Sequence, residues 1–311
     1  MPNDTMTYNF NLLQERILDT LTHTNYPKQL KKIKGATICV GSGGSKAVAD
    51  FASKVFNIQN NCPTKVFEPR DTLYENLSRY KNLFVCSYSG NNHGVNILSK
   101  LPIKKYLLTY GESENKDYKQ IKCNSTLPKE LSFISIAATL MPMSILLSYK
   151  GKKETANKIT NMLKAIKSIK FDINNYNLPF DVMSGNDTTT AEIFLDSTFV
   201  ESGLGILTRH SKYDFCHGRS TIAYKEKGNL IYLIHKKNDL DNLLLDILKN
   251  RYDSIIILES NYTNIIESNY YLTLISIYLT KDIAEHKNID LSIVDYDKET
   301  CKMLYKYKGN M

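Results

Sequence analysis

The sequence predicts an α/β protein of two similar halves, each a mostly parallel sheet flanked by helices. Three observations carry that expectation. Short apolar runs such as Leu83–Cys86 have the length and unbroken hydrophobicity of strands buried on both faces. These runs alternate with longer stretches of helical period, the pattern of βαβ units. Two of them end directly in loops of small residues, Gly41-Ser-Gly-Gly-Ser45 and Ser87-Tyr-Ser-Gly-Asn-Asn92. In an open α/β sheet that carboxyl edge is where ligands bind.

Taken in order, Tyr8–Thr22 places Leu12, Leu13, Ile17, Leu18 and Leu21 at helical spacing, which predicts an amphipathic opening helix. Ala36–Val40 reads as the first buried strand, the Gly41–Ser45 loop follows it, and Lys46–Phe56 continues as a helix. Lys65–Glu68, Leu83–Ser87 and Tyr106–Thr109 read as further strands, with Asn92–Ser99 helical between the last two. Leu131–Tyr149 predicts a long apolar helix, and Lys153–Ile169 an amphipathic one that bridges to the second half. There the plan repeats. Pro179–Met183 is a strand, and Ser184–Thr190 is a polar loop whose threonines can cap a helix over Ala191–Leu207. Tyr213–His217 reads as strand or loop, Leu230–His235 as a strand and Leu240–Leu248 as a helix. Ser254–Leu258 is the last strand and Tyr270–Ala284 the last helix, before a basic tail. The expected division is 1–165 for the first half and 166–311 for the second with its tail.

Composition narrows the function classes. The 311 residues suffice for two packed domains, and 42% hydrophobic with 23% charged residues are the proportions of a folded, soluble protein. The formal charge is +8, but 40 basic residues are dispersed among 32 acids, so no nucleic-acid partner is expected. Nor does a helix-turn-helix fit before the first strand. The six cysteines (Cys39, Cys62, Cys86, Cys123, Cys216, Cys301) form no CxxC pair, and the start lacks the features of a signal peptide. The thiols are expected to be reduced in a cytoplasmic protein, several of them in the core, with no metal site. Leu131–Tyr149 carries no formal charge, yet its four serines, Thr139 and Pro142 within nineteen residues predict a buried interface helix rather than a membrane span.

The chemistry concentrates in two places. In the Ser87–Asn92 loop, two serines two apart, Gly90 and a helix beginning near Asn92 present hydroxyls and backbone amides to one spot, enough to hold a phosphate without a lysine. The Gly41–Ser45 loop lets a ligand approach the backbone, though it is neither a P-loop nor a dinucleotide fingerprint. The second place is Phe199–Thr221. Glu201 ends a mostly apolar helix, where partial burial raises proton affinity and suits a carboxyl to acid–base work near neutral pH. His217 follows it by 217 − 201 = 16 residues and sits beside a glycine, in Phe-Cys-His-Gly-Arg. The plainer readings are a salt bridge from Glu201 to Lys212 or Arg209, and a hydrogen-bonded core histidine.

Together these residues resemble double sugar isomerase (SIS) domain proteins, above all the isomerase half of glucosamine-6-phosphate synthase. Gly41–Ser45 is similar to that family's first Gly/Ser loop, and Ser87–Asn92 to its Ser-x-Ser-Gly-x-Thr phosphate loop. Glu201 and His217 match in type and spacing the family's glutamate and the histidine of its His-Gly-Pro motif. The resemblance implies two SIS-like subdomains and a sugar-phosphate substrate held by Ser42, Gly43, Ser45, Ser87, Ser89, Gly90 and Asn92. It implies that Glu201 moves a proton between C1 and C2 through an enediol-like intermediate. It also implies that His217, from the neighbouring subunit of a homodimer, opens the sugar ring. No cofactor is implied.

The departures bear on the reaction. Asn92 stands for the family's threonine, and Arg219 for the proline after His-Gly, where it can contact an acidic substrate or reshape the loop. Thr198 replaces a lysine three residues before the glutamate, and the family's tail lysine has Lys287, Lys302 and Lys306 as possible counterparts. Residue 2 is Pro rather than Cys, so glutamine-dependent synthesis is not expected. The sequence therefore predicts a phosphosugar-processing enzyme, by aldose–ketose isomerisation or by deamination or deglycation of an amino sugar phosphate. The alternative is a non-catalytic sugar-phosphate-binding regulatory protein. A nucleotide sugar read by Arg219 is a third option.

Overall fold

The computed structural model describes residues 4–128, 136–292 and 299. The first half opens with α1 (Asp4–His23) and the short α2 (Lys28–Lys31), then β1 (Thr37–Val40), α3 (Gly44–Asn60) and β2 (Thr64–Phe67). It continues with β3 (Asn82–Cys86), α4 (His93–Ser99), β4 (Lys104–Thr109) and β5 (Lys119–Lys122), and closes with α5 (Ile136–Leu147) and α6 (Lys152–Ile166). The second half runs β6 (Phe180–Ser184), α7 (Thr189–Glu201), β7 (Leu207–Ser211), α8 (Ser220–Lys225), β8 (Asn229–Ile234), α9 (Asp239–Leu248), β9 (Ser254–Glu259) and α10 (Ile265–His286).

All strand pairs are parallel, in the orders β2-β1-β3-β4-β5 and β7-β6-β8-β9. The inner strands β1, β3 and β8 are buried along their whole length because both faces are covered. Ile38, Val40, Leu83, Val85 and Leu107 turn outward to Val95 and Leu98 of α4. Leu230, Tyr232 and Ile234 turn outward to Leu244 and Leu248 of α9. The alternate residues, among them Cys39, Phe84, Ile231 and Leu233, face a single inner core shared with α1, α3, α5, α6, α7 and α10. The result is a helix–sheet–helices–sheet–helix stack with the central helices common to both halves. The helix predicted over Leu131–Tyr149 is present as Ile136–Leu147 and enters that core through Leu140, Met143, Ile145, Leu146 and Leu147, and residues 131–135 lie outside the described part. Among the described residues, no helix is long and apolar enough to cross a membrane.

Two elements depart clearly from expectation. The helix predicted over Ala191–Leu207 stops at Glu201, because Gly203 takes φ +65° and the amides of Gly203 and Leu204 close back on the carbonyls of Val200 and Phe199. Leu207 instead opens a strand. Lys119–Lys122 was not foreseen as a strand; its exposed lysine and half-buried polar residues mark an edge. Of the two readings of Tyr213–His217, strand or loop, the structure has the loop, with a 3₁₀ turn over Asp214–Cys216.

The halves are joined by a polar clasp as well as by apolar packing. Asp50 of α3 is buried and ion-paired to Lys54, and it accepts hydrogen bonds from the hydroxyls of Thr189 and Thr190 at the start of α7. These threonines were expected to cap their own helix; they reach across to the other half instead. Asp50→Ala removes the charge partner of Lys54, which keeps only its bond to the Thr189 hydroxyl, and the acceptor of Thr190; it is expected to lower the unfolding free energy by about 3 kcal/mol. In urea denaturation, Asp50→Ala/Lys54→Met should recover part of that loss, because the stranded charge goes with its partner.

Candidate active site

The strand order reverses direction between β1 and β3, and the loops leaving these two strands flank the crevice at that switch. They are the two small-residue loops, Gly41–Ser45 and Ser87–Asn92. Ser42 and Asn92 line one cavity of about 320 Å³, together with Glu68, Arg70 and His93. Ser45 and Ser87 meet in a tight crevice of about 10 Å³. A wider surface depression of about 760 Å³ lies elsewhere, between Thr24–Lys32 and Gln120–Asn124, and carries neither serine loop.

Inside the serine loop the donors are set by internal bonds. Ser87 is buried, and its Oγ accepts from the Gly90 amide and from Nδ2 of Asn92, both at 3.2 Å. With its acceptor positions filled, the Ser87 hydroxyl proton remains to be donated. Asn92 uses its Oδ1 to cap α4, accepting from the Val95 amide at 2.9 Å. Ser89 is exposed and its Oγ accepts from the Asn91 amide. Gly90 takes φ +70° as its place in the loop requires. The loop is pinned to β4 by the Thr109 hydroxyl, which donates to the Tyr88 carbonyl.

Glu201 reaches this edge from the second half. It sits in the last turn of α7, and its Oε1 accepts from the Ser197 hydroxyl at 2.6 Å. Gly43, the residue before α3, has φ +54°, and a Cβ placed on it would lie 2.5 Å from Glu201 Oε1 and 3.3 Å from Ser197 Oγ. The carboxylate of one half therefore rests against the bare backbone of the Gly/Ser loop of the other. Neither salt bridge considered for Glu201 forms. Lys212 is buried against Asp241 at 2.7 Å, and Arg209 pairs with Glu192 and Asp196. Although Glu201 opens to solvent on one side, the packing around its carboxyl pushes the pKa up from the ordinary value, against the opposing pull of the Ser197 hydrogen bond.

His217 and Arg219 lie apart from this cluster. Both are exposed, on the turn after the 3₁₀ segment of the second half, so His217 is no core histidine. Arg219 donates to the Arg209 carbonyl at 3.3 Å. Among the described residues of one chain, no hydrogen bond or ion pair joins His217 to Glu201 or to the serine loops. Of the tail lysines, Lys287 is placed beside the loop that follows Glu201, where its Nζ donates to the Leu204 carbonyl at 2.7 Å; Lys302 and Lys306 lie outside the described residues. Thr198, which stands for the family's lysine, is buried. Four of the five described cysteines are buried and free, and Cys216 is exposed on the turn before His217. Among the described residues, no group of His, Cys, Asp or Glu forms a metal site. Sequence reasoning missed Gly43's contact with Ser197, since nothing in the order of residues links a loop at 43 to a hydroxyl at 197.

No protein-family profile matches the sequence, and no curated protein matches it. Solved structures do match in fold. The C-terminal domain of glucosamine-fructose-6-phosphate aminotransferase from Francisella tularensis superposes with a TM-score of 0.69 at 13% identity, over 93% of this chain and 98% of that one. Tagatose-6-phosphate ketose/aldose isomerase from Escherichia coli gives 0.70 at 12% identity, over 96% and 99%. Glucosamine-6-phosphate deaminase from Thermotoga maritima gives 0.65 at 16% identity, over 93% and 95%. The chain has the double sugar isomerase fold that phosphosugar isomerases and deaminases share.

Gly43→Ala adds a methyl group where the carboxylate now sits, on a backbone angle that L side chains resist. It is expected to cost about 1–2 kcal/mol of stability and to displace Glu201 from its pocket. Carboxyl-carbon NMR titration should then find the Glu201 pKa lowered toward the ordinary glutamate value.

Proposed function

We propose that the protein is an enzyme acting on a phosphorylated sugar, with Glu201 as the group that moves a proton between C1 and C2. The observation that carries this is the approach of Glu201 to Gly43. An anion held by the serine loops would place a short carbon chain next to a carboxyl group whose proton affinity is already raised. The phosphate would bind to the hydroxyls of Ser42, Ser45, Ser87 and Ser89, the Asn92 amide, and the backbone of Gly43 and Gly90. Its binding energy, remote from the reacting carbons, positions the substrate.

In this reading the Glu201 carboxylate removes the proton next to the carbonyl, leaving an enediolate, and returns it to the neighbouring carbon. An aldose thereby becomes a ketose, or the reverse, and an amino group on the same carbon makes the first step of deamination equivalent. Ring opening falls to His217 of a second copy of the chain. Exposed Val200, Ile206 and Tyr213, at 64%, 75% and 69%, flank Glu201 and His217 in sequence and are apolar surface for such a copy to cover. A non-catalytic sugar-phosphate-binding protein is the second reading. It is favoured by the buried Thr198 in place of a lysine and by Ser197 as the hydrogen-bond partner of Glu201.

A thermal-shift screen of sugar phosphates, followed by NMR of solvent exchange at C2 for each ligand found, separates the two readings. Exchange and product formation that vanish in Glu201→Gln and His217→Ala, with folding retained, are the expected result. Binding without exchange would leave the regulatory reading. A raised carboxyl pKa means that the folded state holds its proton to higher pH than the unfolded chain, so ionising Glu201 destabilises the fold as pH rises. Glu201→Gln should accordingly raise Tm at neutral pH by about 1–3 °C while abolishing turnover. Ser197→Ala removes the bond that lowers this pKa, so the acid limb of kcat/KM should move to higher pH.

A further inference from the structure

We propose that the amino edge of the first sheet is a docking surface for a nucleic-acid strand, gripped by its phosphates without regard to base sequence. This surface is separate from the candidate sugar-phosphate site, which lies at the opposite, carboxyl edge. Dispersed along the chain, the basic residues predict no such partner. A parallel sheet overrides that dispersal, because its strands all start at one edge and the segments leading into them meet there.

Lys34 and Lys81 precede β1 and β3, and Lys104 and Lys119 open β4 and β5, four strands that are consecutive neighbours in the sheet. The first two segments touch. Asn82 Nδ2 donates to the Lys34 carbonyl at 3.0 Å, and a Cβ on Gly35 would fall 2.7 Å from Lys81 Cδ. Asn82 is in register with Lys104, and Lys119 with Tyr106, two residues further along β4. At the usual spacing between strands the row covers about 14 Å of the edge. All four side chains are exposed, and among the described residues no ion pair engages them. Lys104 stands over the Tyr106 ring, which orients its charge without neutralising it. Asp117 is the single acid in the stretches 27–37, 79–82, 99–105 and 115–119, to which exposed Lys31, Lys32, Arg79 and Lys100 add further positive charge. Glu75, the acid that feels Arg79, is paired to Lys65 at 2.8 Å.

The chemistry of the edge selects the occupant. A membrane surface calls for apolar side chains that enter the bilayer, and none of the exposed large hydrophobic residues lies in these stretches. A protein partner would want an apolar centre, and lysine is depleted from such interfaces. A phosphate backbone needs neither. A duplex carries about one charge per 1.7 Å of its axis, and ammonium groups meet it as point charges with no fixed geometry.

Fluorescence anisotropy of the full chain with two labelled DNA duplexes of unrelated sequence, titrated with KCl between about 50 and 200 mM, tests this. Equal affinity for both is expected, with a slope of log Kd on log salt of about 3–4. Lys34→Gln/Lys81→Gln/Lys104→Gln/Lys119→Gln should remove most of that slope and weaken binding at low salt by about tenfold or more. Lys225→Gln/Lys227→Gln/Lys236→Gln/Lys237→Gln makes the same change of charge at exposed positions of the second half and should leave Kd within about twofold. Equal loss in the two variants would mean that net charge alone is read, and overturns the proposal. So does failure of the unaltered chain to bind, or equal binding to phosphatidylserine vesicles or to polyglutamate. Circular dichroism melting of the edge variant shows that any loss is not unfolding. Sugar-phosphate binding is expected to be unchanged in it, and failure of the unaltered chain to bind sugar phosphates bears on the carboxyl-edge site alone.

Discussion

The geometry of the candidate site depends on how α3 meets α7. Each is the helix that follows the first strand in sequence of its own sheet, and they lie against each other in opposite directions. The start of α3 faces the end of α7 at Gly43 and Glu201, while Asp50, further along α3, faces the start of α7 at Thr189 and Thr190. Two fixed points on each helix leave little freedom to slide. The Asp50 clasp therefore sets, from the far end of the interface, how near the carboxylate comes to the loop. A residue with a side chain at 43 would break this arrangement at its tightest point.

That contact also explains how one carboxylate acquires unusual proton affinity without a charged neighbour. The two cations that the sequence offers as partners are engaged elsewhere: Lys212 with Asp241, and Arg209 with Glu192 and Asp196. Burial of the carboxyl end against Gly43 and Ser197 then prevails over a single hydrogen bond. In the serine loop, Ser87 has its acceptor positions filled internally and its proton left to donate. The Glu201 carboxyl thus lies against Gly43 of the first small-residue loop, and the serine loop leaves the neighbouring strand of the same sheet.

Much of this is legible in the residues themselves. Unbroken apolar runs mark the buried strands, and Gly90 and Gly43 stand where the backbone turns positive. What escaped was set in part by local backbone geometry and in part by partners distant in sequence. Lys119–Lys122 has no apolar run because an edge strand is buried on fewer sides. The end of α7 at Glu201 turns on Gly203, which a helical period reads through. The threonines at 189 and 190 are ordinary capping residues until Asp50, about 140 positions earlier, offers a stronger acceptor. The sequence reads Asn92 only as a donor; its oxygen also caps α4.

The sequence by itself determined that the chain forms two parallel sheets with helices between, since period and hydrophobicity act over a few residues at a time. It also determined that small hydroxyl-rich loops leave the strands of the first half. Only the tertiary structure decided which groups share a space: that Glu201 lies on Gly43 rather than on Lys212 or Arg209, that Lys287 reaches the loop beyond Glu201, and that His217 faces outward. The physical reason is that such pairings are fixed by how the central helices pack. That packing is a property of two surfaces brought together, which neither segment carries alone.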